Sequence, residues 1–466
     1  MRRVCYFLTF YLTILALLTY SFGVTNGDMA EYLNNAFRVV ERQLPYRDFW
    51  LLFPPGEVYF PALIFKLFGV NINFVLLANV LVGSLSALVS FKIVKKFTKV
   101  FLYAYISGLL TYFFAVHNIY VLIVLLSAYF LIDSKFFLTG LFLGISFWFR
   151  VYEIVAISGA FALFLLLDRK FNEVKKLLVG IALPVILMLA IFRDILPMMV
   201  EQLVFESLKH GTVWRLPYFI DLKMNLSFLK GNIRAVLQTP YLIGIYLLPI
   251  VVTLSAWSLK DKNKYIYLFL FWIIALSPRA LMRGSLETVA HSLLPSILLA
   301  GILFAQPVSK YFKIFLYLSV LLSLWIVVVF SAESFRTLIK QKTNPDTQRL
   351  IDLVNIKTKP GEKIFVTNWE SPPLYVLTGR NNPTHYDSLI DLLAVPSIDK
   401  EIRLCHELLI DQPKLIIHDL KGGITDVDRK FYSFEEITPY LNRCIRDNFE
   451  NIVVDPEGLE PSTPSM

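Results

Sequence analysis

Apolar runs long enough, or nearly long enough, to cross a bilayer recur through the first 330 positions of this 466-residue chain, and short loops bearing Lys and Arg separate them. They cover Val4 to Val24, Ile72 to Val94, Val100 to Val116, Ile119 to Ile132, Phe137 to Trp148, Val151 to Leu167, Leu177 to Ile195, Tyr241 to Leu259, Tyr265 to Leu276, Ser292 to Ala305 and Phe312 to Phe330. In hydrocarbon every backbone N–H and C=O must be satisfied within the protein, which leaves helices and closed barrels. A spanning helix needs ~20 residues, so the shorter runs must borrow flanking ones. The pattern predicts a polytopic α-helical membrane protein with about eleven transmembrane helices. The Arg2 to Val24 segment resembles a signal peptide, but no small-residue cleavage motif follows it, and it is expected to be the first span.

The loops orient the chain. Arg2 and Arg3, then Lys92, Lys95, Lys96 and Lys99, then Lys135, then Arg169, Lys170, Lys175 and Lys176, then Lys260, Lys262 and Lys264, then Lys310 and Lys313 fall on alternate sides of successive spans. Basic loops stay inside, so the N-terminus is expected in the cytoplasm of a multi-pass protein of the inner (plasma) membrane. The net charge of +9 is thus a matter of topology. No basic stripe interleaved with aromatics lies on a soluble segment, and no nucleic-acid partner is expected.

An odd number of spans places the functional segments outside: loop 25–69, loop 197–239, the connection Ser277 to His291, and everything after Phe330. Residues 1–330 form the expected transmembrane domain. Residues 331–450 turn to Asp, Glu, Lys and Pro, and alternate strand-like runs (KIFVTN, KLIIHD) with helical ones (DTQRLIDLVNI, KEIRLCHELLI). They read as a small C-terminal extracytoplasmic α/β domain. Residues 451–466 are expected to be a disordered tail. Cys405 and Cys444 fall in the soluble part, where they pair if that part faces an oxidising compartment and otherwise stay reduced; Cys5 lies in the first apolar run.

In the first outer loop Ala30, Leu33, Ala36, Phe37 and Val40 recur at helical spacing, with Glu31, Asn34, Asn35, Arg38 and Glu41 opposite. An amphipathic helix lying on the membrane surface is the expectation. Pro54, Pro55 and Gly56 then break the chain before a second apolar stretch ending at Gly69.

Three features carry a resemblance. Asp28 follows the first span, with PYRDFW at Pro45 to Trp50 and PPG at Pro54 to Gly56. SPRALMRGSLETVAHSLLP forms a late loop, and IFVTNWESPPLYVLTGRNNPTHYD lies in the tail. Together they resemble the GT-C superfamily of membrane glycosyltransferases, whose members include protein O-mannosyltransferases and lipid A aminoarabinose transferases. The resemblance spans nearly the whole chain. It implies a GT-C-like fold and an inverting transferase that takes a sugar from a polyprenyl-phosphate carrier to an envelope lipid, glycan or protein acceptor. O-mannosyltransferases carry adjacent acidic residues after the first span, whereas here Met29 follows Asp28, which argues against protein as acceptor.

Such a transfer needs a carboxylate to take the acceptor proton and cations to hold the phosphate as its charge grows. The resemblance implies Asp28 as the base; an N-cap is the ordinary alternative. Asp48 is a second catalytic candidate, supported by Arg47 and Tyr46, or else the partner of a local ion pair with Arg47 or Arg42. Arg150 and Glu153 lie between two spans with almost no loop, where a charge must be paired or face a cavity. Either they serve the donor site, Arg150 on phosphate with Glu153 supporting, or they pair with each other or snorkel to the interface. Arg279, Arg283 and His291 offer a fork and a further donor for phosphate oxygens, or contacts to lipid headgroups. His117 reads as a polar turn residue.

His117, His210 and His291 lack acidic partners at ligand spacing, and neither HExxH nor paired CxxC occurs. No cofactor is expected, and a divalent cation is left open. The missing P-loop and GxGxxG argue against a soluble nucleotide donor. The expected partners are the lipid-linked sugar, its acceptor and membrane lipids. The alternatives are a lipid-linked sugar transporter or flippase, which would carry polar residues at mid-membrane depth, and a non-enzymatic envelope-assembly scaffold.

Overall fold

The computed structural model describes residues 28–115, 119–206, 208, 218–227, 232–260, 263–282, 286–340, 345–367, 373–386, 397–418, 423–425, 431–433, 438–449 and 452–454. The expected first span, Cys5, His117, His210, Arg283 and the closing GLEPSTPSM lie outside those residues. The other ten apolar runs are all helical. Five of these helices are long and apolar enough to cross a membrane: Ile72–Lys95, Phe171–Ile191, Ala235–Trp257, Lys264–Met282 and Lys310–Val329. The shorter apolar helices are Phe101–Phe113, Ile119–Ile132, Phe136–Ser146, Val151–Leu167 and Leu293–Leu303. The protein is a polytopic α-helical membrane protein with a small sheet.

Two boundaries move for a physical reason. The run read as ending at Leu276 continues through Ser277 and Pro278 as the helix Lys264–Met282, and His291 lies inside the helix Leu286–Leu303 rather than in a loop. Arg279 therefore sits on a last helical turn. Proline is tolerated in membrane helices because neighbouring groups satisfy the carbonyl it leaves open. Separately, the last run continues past Phe330 to Lys340 without any proline.

The chain forms two compact units. One comprises residues 1–21, 76–191 and 215–340; the other comprises 22–75, 192–214 and 341–466. The unit carrying the tail thus also takes in the first outer loop and the first part, 197–214, of the second, whose remainder goes with the membrane unit.

In the membrane unit the helices Phe136–Ser146 and Phe171–Ile191 pack most closely, because Gly140, Gly144 and Gly180 leave no room for a Cβ against the facing backbone. The helices Val151–Leu167 and Lys264–Met282 run side by side in opposite directions. Asp168 at the end of the first accepts an ion pair from Lys264 at the start of the second, 3.0 Å away. Lys170 joins the same carboxylate at 3.2 Å, Lys96 pairs with Asp133, and Tyr265 touches both Phe97 and Phe164. The loops carrying Lys96, Lys135, Lys170 and Lys264 therefore share one end of the bundle, as alternating basic loops require.

In the loop-and-tail unit a parallel three-stranded sheet has the order β1-β2-β5, with β1 Ile364–Val366, β2 Leu415–His418 and β5 Ile452–Val454. A short hairpin pairs β3 Gly423–Thr425 with β4 Phe431–Ser433. The helices Ile398–Ile410 and Pro439–Asn448 pack together, and Cys405 and Cys444 form a disulfide between them with Cα atoms 6.1 Å apart. Trp50 of the first outer loop is buried in the same core as this disulfide, beside Phe365, Tyr386, Leu404 and Ile416.

Candidate functional site

The first outer loop forms the helices Asp28–Val40 and Gly56–Phe68, so Asp28 opens the first of them; its side chain is outside the described set. The apolar face is buried as expected, at Ala30, Leu33, Ala36 and Phe37, but Asn34, Asn35 and Arg38 of the polar face are buried too. A helix lying on a membrane with its polar face in water is therefore not what forms. This helix packs against Gly56–Phe68 and against the tail helix Leu374–Thr378. Arg38 is the clamp. Its Nη2 donates to the carbonyls of Thr384 (2.8 Å) and Asp48 (3.1 Å), its Nε donates to Gln43 Oε1 (2.7 Å), and its guanidinium lies over the Phe49 ring. A buried guanidinium needs such partners, and five N–H donors suit a set of carbonyls.

Asp48 takes the local alternative. Arg47 binds both of its carboxylate oxygens, each at 2.8 Å, and the Leu44 N–H donates to Oδ2 at 2.7 Å. The Arg47 hydrogen bond, with help from the Leu44 amide, lowers the Asp48 pKa and makes it a weaker base. Tyr46 is buried at a positive φ of 68°, and its hydroxyl donates to the Phe53 carbonyl at 2.7 Å. Gln202 closes the turn: its Nε2 donates to the Tyr46 carbonyl and its Oε1 accepts from the Leu51 N–H, both at 2.9 Å. Gln202 lies in a π-helical turn, Glu201–Glu206, whose Glu206 pairs with Lys400 of the tail at 2.8 Å. These groups hold the 45–53 turn. A motif reading finds PYRDFW but not Gln202, Lys400 or His385, whose carbonyl accepts the Trp50 N–H at 2.8 Å, because their partners lie far away in sequence.

The membrane unit brings together two residues chosen from separate segments. Glu153, only 2% exposed, forms an ion pair with Arg279, 34% exposed, at the end of the bundle opposite the lysines. It does not pair with Arg150. Arg150 is instead the extended residue that starts the helix Val151–Leu167, is itself buried, and lies 5.8 Å from the Tyr120 ring centroid. His291 is one to two turns into the helix that follows Arg279, with its side chain outside the described set. Among the described residues no three of His, Cys, Asp and Glu gather as a metal site would.

Among solved structures, the chain is similar to ArnT from Cupriavidus metallidurans bound to undecaprenyl phosphate. The TM-score is 0.55 at 11% identity, over 81% of this chain and 84% of that one. The fold is GT-C-like. No family model and no curated protein matches the sequence. In the GT-C-like fold the described candidate residues divide between two places, Arg150, Glu153 and Arg279 at one end of the membrane unit and Asp28, Tyr46, Arg47 and Asp48 in the loop-and-tail unit.

Proposed function

We propose that the protein is an inverting glycosyltransferase that moves a sugar from a polyprenyl-phosphate carrier to an envelope lipid, glycan or protein acceptor on the extracytoplasmic face. The observation that carries this reading is the buried Glu153 paired with Arg279, with buried Arg150 beginning the same helix, in a fold shared with a protein solved with undecaprenyl phosphate. Charges embedded at a helix end in a membrane protein are costly and mark functional positions. Glu153 takes one terminal nitrogen of Arg279, and the rest of the guanidinium fork suits the oxygens of a phosphate. Arg283 and His291, close by in the chain, are assigned to the same phosphate. The Cys405–Cys444 disulfide supports a tail in an oxidising compartment, hence outside the cytoplasm.

Asp28 is assigned as the base. In one displacement the acceptor hydroxyl attacks the anomeric carbon, its proton passes to the Asp28 carboxylate, and the bond from that carbon to the phosphate oxygen breaks. The carrier phosphate leaves with the electron pair, and cationic side chains hold its new charge. A single displacement inverts the anomeric configuration. Asp48, engaged by Arg47, is assigned to shaping the turn. The test is transfer from polyprenyl-phosphate sugars by full-length protein in lipid nanodiscs. Asp28→Asn is expected to slow transfer by about 10²- to 10⁴-fold with an unchanged melting temperature. Wild-type turnover by that variant would remove Asp28 from the role.

A further inference from the structure

Asn35 is fully buried, and among the described residues neither its Nδ2 nor its Oδ1 has a hydrogen-bond partner; the Oδ1 of buried Asn34 has none either. Elsewhere in this unit the buried polar side chains are engaged. Gln202 holds two backbone groups, Asn382 and Thr384 bond each other, and Glu401 accepts the Leu441 N–H. An enclosed amide without partners is destabilising, and an apolar side chain of similar shape would not incur that cost. The neighbouring Ala30, Leu33 and Ala36 show that apolar residues fill buried positions of this same helix. An amide kept under such conditions calls for a group that completes it.

The helical register says where that group would lie. Asp28, Glu31 and Asn35 follow at i, i+3 and i+7 and so share one face. Asn35 is about 10 Å along the axis from Asp28, at 1.5 Å per residue. Tyr32, one turn from Asp28, sets its ring edge-on to Phe53 at 5.2 Å, so an aromatic surface adjoins the same face.

We infer that Asn35 is the core of a saccharide subsite that hydrogen-bonds the hydroxyls of the donor sugar and so selects it. An amide offers donor and acceptor side by side, as neighbouring hydroxyls require, and being uncharged it suits an uncharged ring rather than the carrier phosphate. The inference rests on the proposed glycosyl transfer.

The experiment titrates full-length protein, wild type and Asn35→Leu, with undecaprenyl phosphate and with undecaprenyl phosphate carrying mannose, arabinose or aminoarabinose. Wild type is expected to bind one sugar-bearing lipid more tightly than the bare carrier. Asn35→Leu should lose about tenfold or more of that affinity, keep its affinity for the bare carrier within about twofold, and melt higher. Asn35→Ala, which adds no bulk, should show the same loss. The subsite is overturned if both variants keep the sugar preference, if sugar-bearing and bare carriers weaken together, or if wild type binds every sugar-bearing lipid no better than the bare carrier. Wild type that binds none of these lipids would instead overturn the proposed function.

Discussion

The two units differ in how their most deeply buried charges are satisfied. In the membrane unit the described charged pairs stand at helix ends, carboxylate to cation: Asp168 with Lys264 at one end, Glu153 with Arg279 at the other. In the loop-and-tail unit, two buried arginines bind backbone carbonyls. Arg38 reaches Thr384, 346 positions away, and Arg380 binds the carbonyls of Thr358, 22 positions away, and of nearby Thr378. Membrane helices satisfy their own backbones and need side-chain charge only where function or a helix end demands it. A small sheet domain with irregular loops leaves carbonyls open, and long cationic side chains close them.

The largest effect that would sharpen this contrast lies in the membrane unit. Arg279→Ala leaves the enclosed Glu153 without its cation and is expected to cost about 3–5 kcal/mol. Glu153→Gln leaves Arg279, a third exposed, able to turn to water, and should cost about 1 kcal/mol. Unfolding of both variants in detergent measures the difference, and equal costs would show that the carboxylate is not the enclosed partner. Next is the disulfide. Replacing Cys405 and Cys444 with Ser removes a crosslink spanning 39 positions and should destabilise the loop-and-tail unit by about 3–4 kcal/mol. Limited proteolysis should then cut residues 341–466 faster while the membrane helices remain protected. Equal loss of protection in both units would mean that they do not unfold separately.

A smaller effect depends on pH. Burial, with the Arg403 and Arg38 guanidiniums nearby and only Asp48 opposing them, pushes the His385 pKa down to about 3. In the unfolded chain it is about 6.5, so on acidification the unfolded state takes up the proton first. Stability is thus complete above that value and is lost between about pH 6.5 and 3, by about 2 kcal/mol from pH 7 to 5. Hydrogen exchange of the β1-β2-β5 sheet at the two pH values measures this, and His385→Asn should flatten the dependence. The smallest effect is expected at Arg47→Ala. Its pair with Asp48 is on the surface, and the melting temperature should stay within experimental scatter.

How much could be read in advance follows the same division. The ten described apolar runs became helices because length and hydropathy are local properties that the bilayer tests directly. The Ile364–Val366 and Leu415–His418 strands were equally plain from short runs of β-branched residues. The polar stripe of the Asp28–Val40 helix misled, because amphipathicity reports two faces without saying what covers them. The connection expected from Ser277 to His291 starts inside a helix, because nearby membrane groups let Pro278 stand within one. The partners of Glu153, Arg38 and Gln202 could not be read at all, since each is set by the meeting of distant segments.

The sequence by itself determined a membrane-spanning helical protein with basic loops on one side, a mixed α/β tail, and a short set of charged residues worth testing. Tertiary structure alone decided that Glu153 meets Arg279, that Trp50 joins the core around Cys405 and Cys444, and that residues 22–75 and 192–214 belong with the tail. The physical reason is range. Helix and strand propensity and hydrophobic length act over a few turns, whereas an ion pair, a disulfide or a buried amide depends on which distant surfaces the finished packing brings into contact.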